Sequence, residues 1–319
     1  MANLVLTTEC QRKCPYCFAK DDQNKKLSFS WDSFVKAIDF ISTGSKIINL
    51  LGGEPTLHPE FMRMLKYLIS NDFTVQVFTN GMLSDDILTK LVNFINENTL
   101  EKDQLYFAVN INAKKHRSKE ETLKQSKFLN SINSLVYPSF TIYEKDTNLL
   151  FLVDLVNKYN LDPTIKLGLA MPVINGSNTF LPLKNYRNVA ENIMNLSDNS
   201  NGITITLDCG FPLCMFTLDE IYKLNENKEN DFMFLCGQPL DIHPDLNVTN
   251  CYPLSKLHKI NIDKFETFDE LNNYFKDGFV TPSGVFNTKC KECAFFRKIC
   301  SGGCKGFYTP QNTGGDDVR

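Results

Sequence analysis

The sequence predicts an α/β chain of parallel strands, wound as a partial barrel or an open sheet, followed by an irregular cysteine-rich unit. Three observations carry that expectation. Apolar runs of strand length alternate with helical patterns through about the first 210 residues. Candidate functional residues fall where those strands end. Eight of the eleven cysteines gather from Cys209 onward, where the alternation stops.

Residues 3–7 read as a strand. Ser30 is a helix N-cap, and Phe34, Ile38 and Ile41 then recur at helical spacing. A second strand over 46–51 ends at Gly52-Gly53, and an apolar-faced helix covers 59–69. A third strand, 73–78, stops at the turn signal Asn80-Gly81. Ser84 caps a helix carrying Leu88, Leu91, Phe94 and Ile95. A strand over 105–111 and a polar helix over 118–135 follow. Then come a helix over 148–159, a strand over 165–171, a helix over 186–196 and a sixth strand over 203–207. Strand-helix alternation of this kind gives right-handed parallel units, whose chemistry sits at the carboxyl ends of the strands. Cys10, Gly52, Asn80 and Cys209 all fall there. Beyond residue 210 the pattern holds mainly one helix over 267–275, and a region so poor in apolar pattern draws folding free energy from bound metal. At roughly 150 residues per domain the length suits two units, placed at 1–210 and 211–319.

Composition narrows the class. With 42% hydrophobic and 22% charged residues the 319-residue chain is not a disordered one. A formal charge of −3 gives no ground for nucleic-acid binding. The best apolar run, 149–156, is too short for a membrane span and carries Asp154. The start lacks an export signal, so a cytoplasmic, reducing compartment is expected. There, an odd number of cysteines in tight groups reads as metal ligands rather than a disulfide framework.

The first group, Cys10, Cys14 and Cys17, packs three thiols into eight residues directly after the first strand. Three thiolates can hold three irons of a cubane and leave the fourth open, whereas a zinc loop would need a distant fourth ligand. This C-x3-C-x2-C spacing with Tyr16 before the last cysteine resembles the radical S-adenosylmethionine (SAM) superfamily. Gly52-Gly53-Glu54-Pro55 matches that superfamily's GGEP motif, and Thr79-Asn80-Gly81 its frequent TNG ending. The resemblance covers about residues 1–210. It implies a partial (β/α)6 TIM-type barrel and a [4Fe–4S] cluster whose open iron takes SAM. By the same resemblance, backbone at Gly52 and Gly53 approaches the methionine ammonium, with Glu54 as either a SAM contact or an ion-pair partner. Tyr16 flanks the adenine, and Asn110, or the equally placed Asn112, reaches the ribose.

Cys290, Cys293, Cys300 and Cys304 form a dense second run, with Cys236 and Cys251 upstream. A zinc ribbon is one reading. The run also resembles the SPASM extension of peptide-modifying radical SAM enzymes, a small iron–sulfur domain. Two features depart from that family. Leu246 stands where its members carry a glycine, so the turn there must differ or be strained. Two of the family's cysteines are also missing from their places, and Cys209 and Cys214 can fill them. By analogy, Cys214, Cys236, Cys251 and Cys304 surround one auxiliary [4Fe–4S] cluster, with Cys209 an equal candidate for the place of Cys214. Cys290, Cys293 and Cys300 hold a second, completed by Cys209 or by an open iron.

The resemblance implies an oxidoreductase that uses a 5′-deoxyadenosyl radical to abstract hydrogen from a ribosomally made peptide, closing a thioether or carbon cross-link. Maturation of a protein residue, of the formylglycine type, or oxidation of a small molecule is the alternative. Asp208, at the end of the sixth strand, is the candidate base; His58 reads as part of a helix cap. The expected partners are a peptide substrate and a flavodoxin- or ferredoxin-like electron donor. With the barrel beginning at residue 3, either a separate leader-peptide-binding protein grips the substrate, or it is recognised another way, or it is not a leader peptide.

Overall fold

The computed structural model describes residues 1–226, 231–232, 234–237, 239–278 and 288–307. In chain order these carry β1 (Ala2–Thr7), α1 (Trp31–Ser42), β2 (Ile47–Gly52), α2 (Phe61–Ser70), β3 (Thr74–Thr79), α3 (Asp85–Asn98), β4 (Leu105–Asn110) and α4 (Lys119–Ser131). There follow β5 (Val136–Ile142), α5 (Phe151–Tyr159), β6 (Thr164–Leu169), α6 (Tyr186–Asp198), β7 (Thr204–Leu207) and α7 (Leu218–Glu226). The last elements are β8 (Asp231–Phe232), β9 (Leu240–Ile242), β10 (Asn247–Asn250), β11 (Ile260–Asn261) and α8 (Phe268–Asn273).

All eleven strands form one sheet in the order β11-β10-β9-β1-β2-β3-β4-β5-β6-β7-β8. From β1 to β8 every neighbouring pair is parallel, as the alternation of strands and helices requires. Ser30 and Ser84 cap their helices as read, and Ser118 caps α4; each accepts a hydrogen bond from the amide three residues on. Leu4, Ile48, Leu50, Val75, Val77, Phe107 and Val109 bury the helix-facing side of the sheet against Phe34, Ile38, Met64, Leu68 and Leu91.

Two expectations change. The parallel run has seven full strands before the cysteine-rich region, not six, because β5 is a strand. Pro138 sits at its centre and speaks against a strand in the sequence. The ladder accommodates it: β5 pairs with β4 through Ser139 and with β6 only from Ser139 onward, so the β6 side asks no amide of residue 138. The second change concerns the C-terminal region, which is not merely an appendage. β8 extends the sheet beyond β7, while β9 adds to β1 in parallel, with β10 and β11 antiparallel beyond it. Strands of two to four residues are too short to show a period.

The sheet's other face carries a polar row. Asn3, Asn49 and Gln76 stand opposite one another across β1, β2 and β3, with Asp241 of β9 opposite Asn3. Asn3 Nδ2 donates to Asp241 Oδ1 at 2.7 Å, and Asn49 Nδ2 donates to Asn3 Oδ1 at 2.8 Å. Burial pushes the Asp241 carboxyl from 3.8 up to about 7, against the lowering effect of the Asn3 donor. Between those values the folded chain keeps a proton that the unfolded chain has lost. Stability contributed there is present at low pH and falls as pH rises from about 4 to 7. Denaturant midpoints of the wild type and Asp241→Asn at pH 5 and pH 8 should therefore diverge by a few kcal/mol at the higher pH, the wild type losing more. A difference independent of pH would contradict the assignment.

Candidate active site

The loop after β1 is zipped to the loop after β2. Gly53 N donates to Thr7 O and Glu54 N to Glu9 O, both at 2.7 Å. A Cβ on Gly52, whose φ is +146°, would lie 2.2 Å from Thr7 O, and one on Gly53 would lie 2.2 Å from Glu9 O. The glycine pair thus lets one backbone touch another. That is a nearer demand than the expected approach to a methionine ammonium. Glu54 is fully buried and accepts from Thr56 N, Thr56 Oγ1, Thr79 Oγ1 and Asn80 N at 2.7–3.2 Å. Burial raises its pKa, and those donors oppose the rise. Among the described residues its partners are neutral donors, and they tie the end of β2 to the end of β3. Pro55 is buried at the start of the following turn, and His58 is bonded to Phe29 O, a structural place.

Arg12 went unnoticed in the sequence and is the centre of the arrangement. Its guanidinium donates to Asn110 O at 2.8 Å, to Asn80 O at 3.1 Å and to Glu121 Oε1 at 2.6 Å. Both side chains of that ion pair are nearly buried, at 6% and 8% exposure. Gln125 Nε2 adds a 2.7 Å bond to Asn80 O. The cysteine loop is therefore clamped to the ends of β3 and β4 and to α4. Removing one partner of a buried pair leaves the other charge uncompensated. Glu121→Gln should cost about 3 kcal/mol in a denaturation curve, and an effect within 0.5 kcal/mol of zero would remove Arg12 from this role.

Tyr16 Oη lies 2.9 Å from both Asn110 Oδ1 and Asn112 Oδ1 and donates to one at a time. Its ring lies against Tyr143, centroids 4.8 Å apart. The two asparagines that were equal candidates are thus joined through the expected aromatic. Asn80 Oδ1 accepts from Met82 N at 2.9 Å, and its Nδ2 stands 4.0 Å from Cys10 Sγ. A cavity of about 400 Å³ opens against the loop beside Arg12, Cys14, Asn112, His116, Glu121 and Tyr143.

Cys10, Cys14 and Cys17 are electrostatic neighbours. Burial, then the Glu54 carboxylate and Cys14, pushes Cys10 up to about 11, and burial, then Cys14 and Cys10, pushes Cys17 up to about 12. Arg12 N points at Cys10 Sγ at 3.4 Å, and Gln23 Nε2 lies 3.8 Å from Cys17 Sγ. Among the described residues no three Cys, His, Asp or Glu groups converge as a single ion would need. A multi-iron cluster asks for a wider set of soft sulfur donors, and its positive charge would relieve the mutual cost of three crowded thiolates. The loop fits that group.

Of the other predicted residues, Asp208 follows β7, 52% exposed, 3.6 Å from Lys166 Nζ and accepting from Cys209 N at 2.9 Å. Leu246 keeps the left-handed conformation, φ +60°, at the end of a turn closed by its amide on His243 O, so the turn is strained rather than rebuilt. The C-terminal thiols fall near one another in two sets. Cys214 neighbours Cys300, Cys290 and Cys293, while Cys209 neighbours Cys236 and Cys304.

Residues 4–129 match the model of the Radical SAM superfamily. An S-adenosylmethionine-dependent nucleotide dehydratase from Selenomonas ruminantium is 35% identical over 83 residues, 25% of this chain and 30% of that protein. A tungsten-containing aldehyde ferredoxin oxidoreductase cofactor-modifying protein from Pyrococcus furiosus is 30% identical over 112 residues, 34% of this chain and 30% of that one. The chain thus spans about a third of the length of these curated relatives. Among solved structures, Streptococcus suis SuiB bound to its precursor peptide SuiA superposes with a TM-score of 0.67 at 14% identity, covering 95% of this chain and 71% of SuiB. The enzyme anSMEcpe with bound AdoMet gives 0.67 at 16% identity, covering 100% and 92%. Residues 4–129 thus match a Radical SAM domain, and the parallel α/β sheet shares the fold of SuiB and anSMEcpe. No helix among the described residues is long and apolar enough to cross a membrane.

Proposed function

We propose that this chain binds SAM at an iron–sulfur cluster held by Cys10, Cys14 and Cys17 and oxidatively modifies or cross-links a ribosomally made peptide. The observation that carries the reading is the clamped loop: three thiols held over the ends of β1–β4 by Arg12, the Gly52-Gly53 contact and Glu54. The bound cofactors would supply one-electron cleavage of a sulfonium bond and, with it, a 5′-deoxyadenosyl radical. The chain's own part is positional. Arg12 and Glu121 fix the loop's height over the sheet, while Tyr16, Asn110 and Asn112 form a rigid polar wall beside it. Asp208, kept beside Lys166, is the proposed acceptor of the proton that an oxidation releases.

A peptide substrate is supported by the likeness of fold to SuiB, solved with a precursor peptide, and to anSMEcpe, solved with a Cp18Cys peptide. A flavodoxin- or ferredoxin-like donor would deliver the electron, and a separate protein would present the leader. The remaining eight cysteines are proposed as ligands of two auxiliary [4Fe–4S] clusters in the 211–319 region and the loop leading into it. The test is anaerobic incubation of reconstituted enzyme with SAM, reductant and short peptides encoded beside its gene. The expected result is 5′-deoxyadenosine together with a peptide lighter by two hydrogens. Deoxyadenosine formed with every peptide left unchanged would remove the substrate class.

A further inference from the structure

Cys209 and Cys214 stand on one short loop after β7, yet they meet different thiols. Cys209 has Cys236 and Cys304 as neighbours, Cys251 has Cys304 and Cys236, and Cys304 has Cys236. Cys214 instead has Cys300, Cys290 and Cys293. The backbone between them explains the separation. Gly210 takes φ +102° and packs so tightly that a Cβ there would lie 2.3 Å from Met171 Cε and 3.7 Å from Cys304 Cβ. Three residues later, Leu213 N points at Cys300 Sγ at 3.4 Å. The chain thus leaves one sulfur group and enters the other within a few residues. The groups also meet a second time, where Cys236 N donates to Ser301 Oγ at 2.7 Å, next to Cys300.

Amides already face the sulfurs. Gly302 N donates to Cys300 Sγ at 3.2 Å and Gly306 N to Cys304 Sγ at 3.4 Å. A Cβ on Gly302 would come within 3.1 Å of Cys290 Sγ, so only glycine passes that close. Backbone donors of this kind stabilise thiolates and tune the potential of the iron they bind.

We propose that Cys209, Cys236, Cys251 and Cys304 form one closed four-thiolate iron–sulfur centre and Cys214, Cys290, Cys293 and Cys300 another, joined by the 209–214 loop. The proposal rests on the auxiliary-cluster reading above and deepens it. With four thiolates apiece, neither centre keeps an iron open to substrate, so both carry electrons rather than bind the peptide. In the first, Cys304 is buried and Cys209, Cys236 and Cys251 are half-buried; in the second, Cys290 and Cys300 are buried while Cys214 and Cys293 reach the surface.

The test uses the full chain, reconstituted anaerobically with iron and sulfide, with iron counting and low-temperature EPR of the reduced protein. The wild type should hold about twelve irons, as three cubanes require. Cys214→Ala should lose or alter the same EPR component as Cys293→Ala, and Cys209→Ala the same component as Cys236→Ala, each sparing the other. The signal that shifts on adding SAM reports that the variants are folded, and Cys→Ser versions replace any that are not. If Cys214→Ala matches Cys236→Ala, or if either loop variant leaves both components intact, the pairing is overturned while the auxiliary-cluster reading stands. A wild-type chain holding only about four irons overturns both.

Discussion

Replacing Cys10, Cys14 and Cys17 together by Ala should abolish 5′-deoxyadenosine formation and lower the iron content from about twelve to about eight per chain, with the remaining centres still reducible. The effect is all-or-none because the three sulfurs act as one unit. They share a loop, Cys14 lies near enough to raise the pKa of both Cys10 and Cys17, and Arg12 holds that loop at a fixed place over β3 and β4. Chromatographic detection of deoxyadenosine under dithionite is the measurement. Persistent turnover in the triple variant would move SAM chemistry elsewhere in the molecule.

Gly53→Ala should be nearly as severe, by a different route. The added carbon would lie 2.2 Å from Glu9 O and 2.6 Å from Thr8 O, backbone atoms that cannot swing aside. Relief requires parting the loops, which breaks the 2.7 Å bonds from Gly53 N and Glu54 N and frees the cysteine loop from its support. A loss on the order of 4 kcal/mol, together with failure to retain iron at the first centre, is the expected outcome. Gly168, on β6, has nothing within 4 Å of its Cβ position, so Gly168→Ala is the control and should change stability by less than about 1 kcal/mol. If the two variants behaved alike, the loop contact would not be the reason for the glycine.

How much of this was readable beforehand depends on the distance over which each interaction acts. Ser30 and Ser84 announce their helices because a cap bonds an amide three residues away. The cysteine spacing and the glycine pair are likewise local. Glycine at 53 signalled a close approach, though not that its partner would be Glu9, on a loop 44 residues earlier. Arg12 and Glu121 are 109 residues apart, and each looks like an ordinary surface charge until α4 is placed over the loop. Pro138 concealed β5 because a proline is compatible with a strand only when the ladder happens not to need its amide. Spacing leaves the pairing of Cys209 and Cys214 open for a related reason. Five residues say nothing about direction, and only the left-handed turn at Gly210 sends the two sulfurs to separate neighbours.

Because β9 lies against β1 and β8 against β7, the C-terminal residues flank the sheet on both sides. A chain severed after Gly210 would expose two bare strand edges, an invitation to self-association. The halves that look separable by composition are therefore expected to melt as one: a single calorimetric transition, with stripping of the distal irons felt at the opposite end of the molecule.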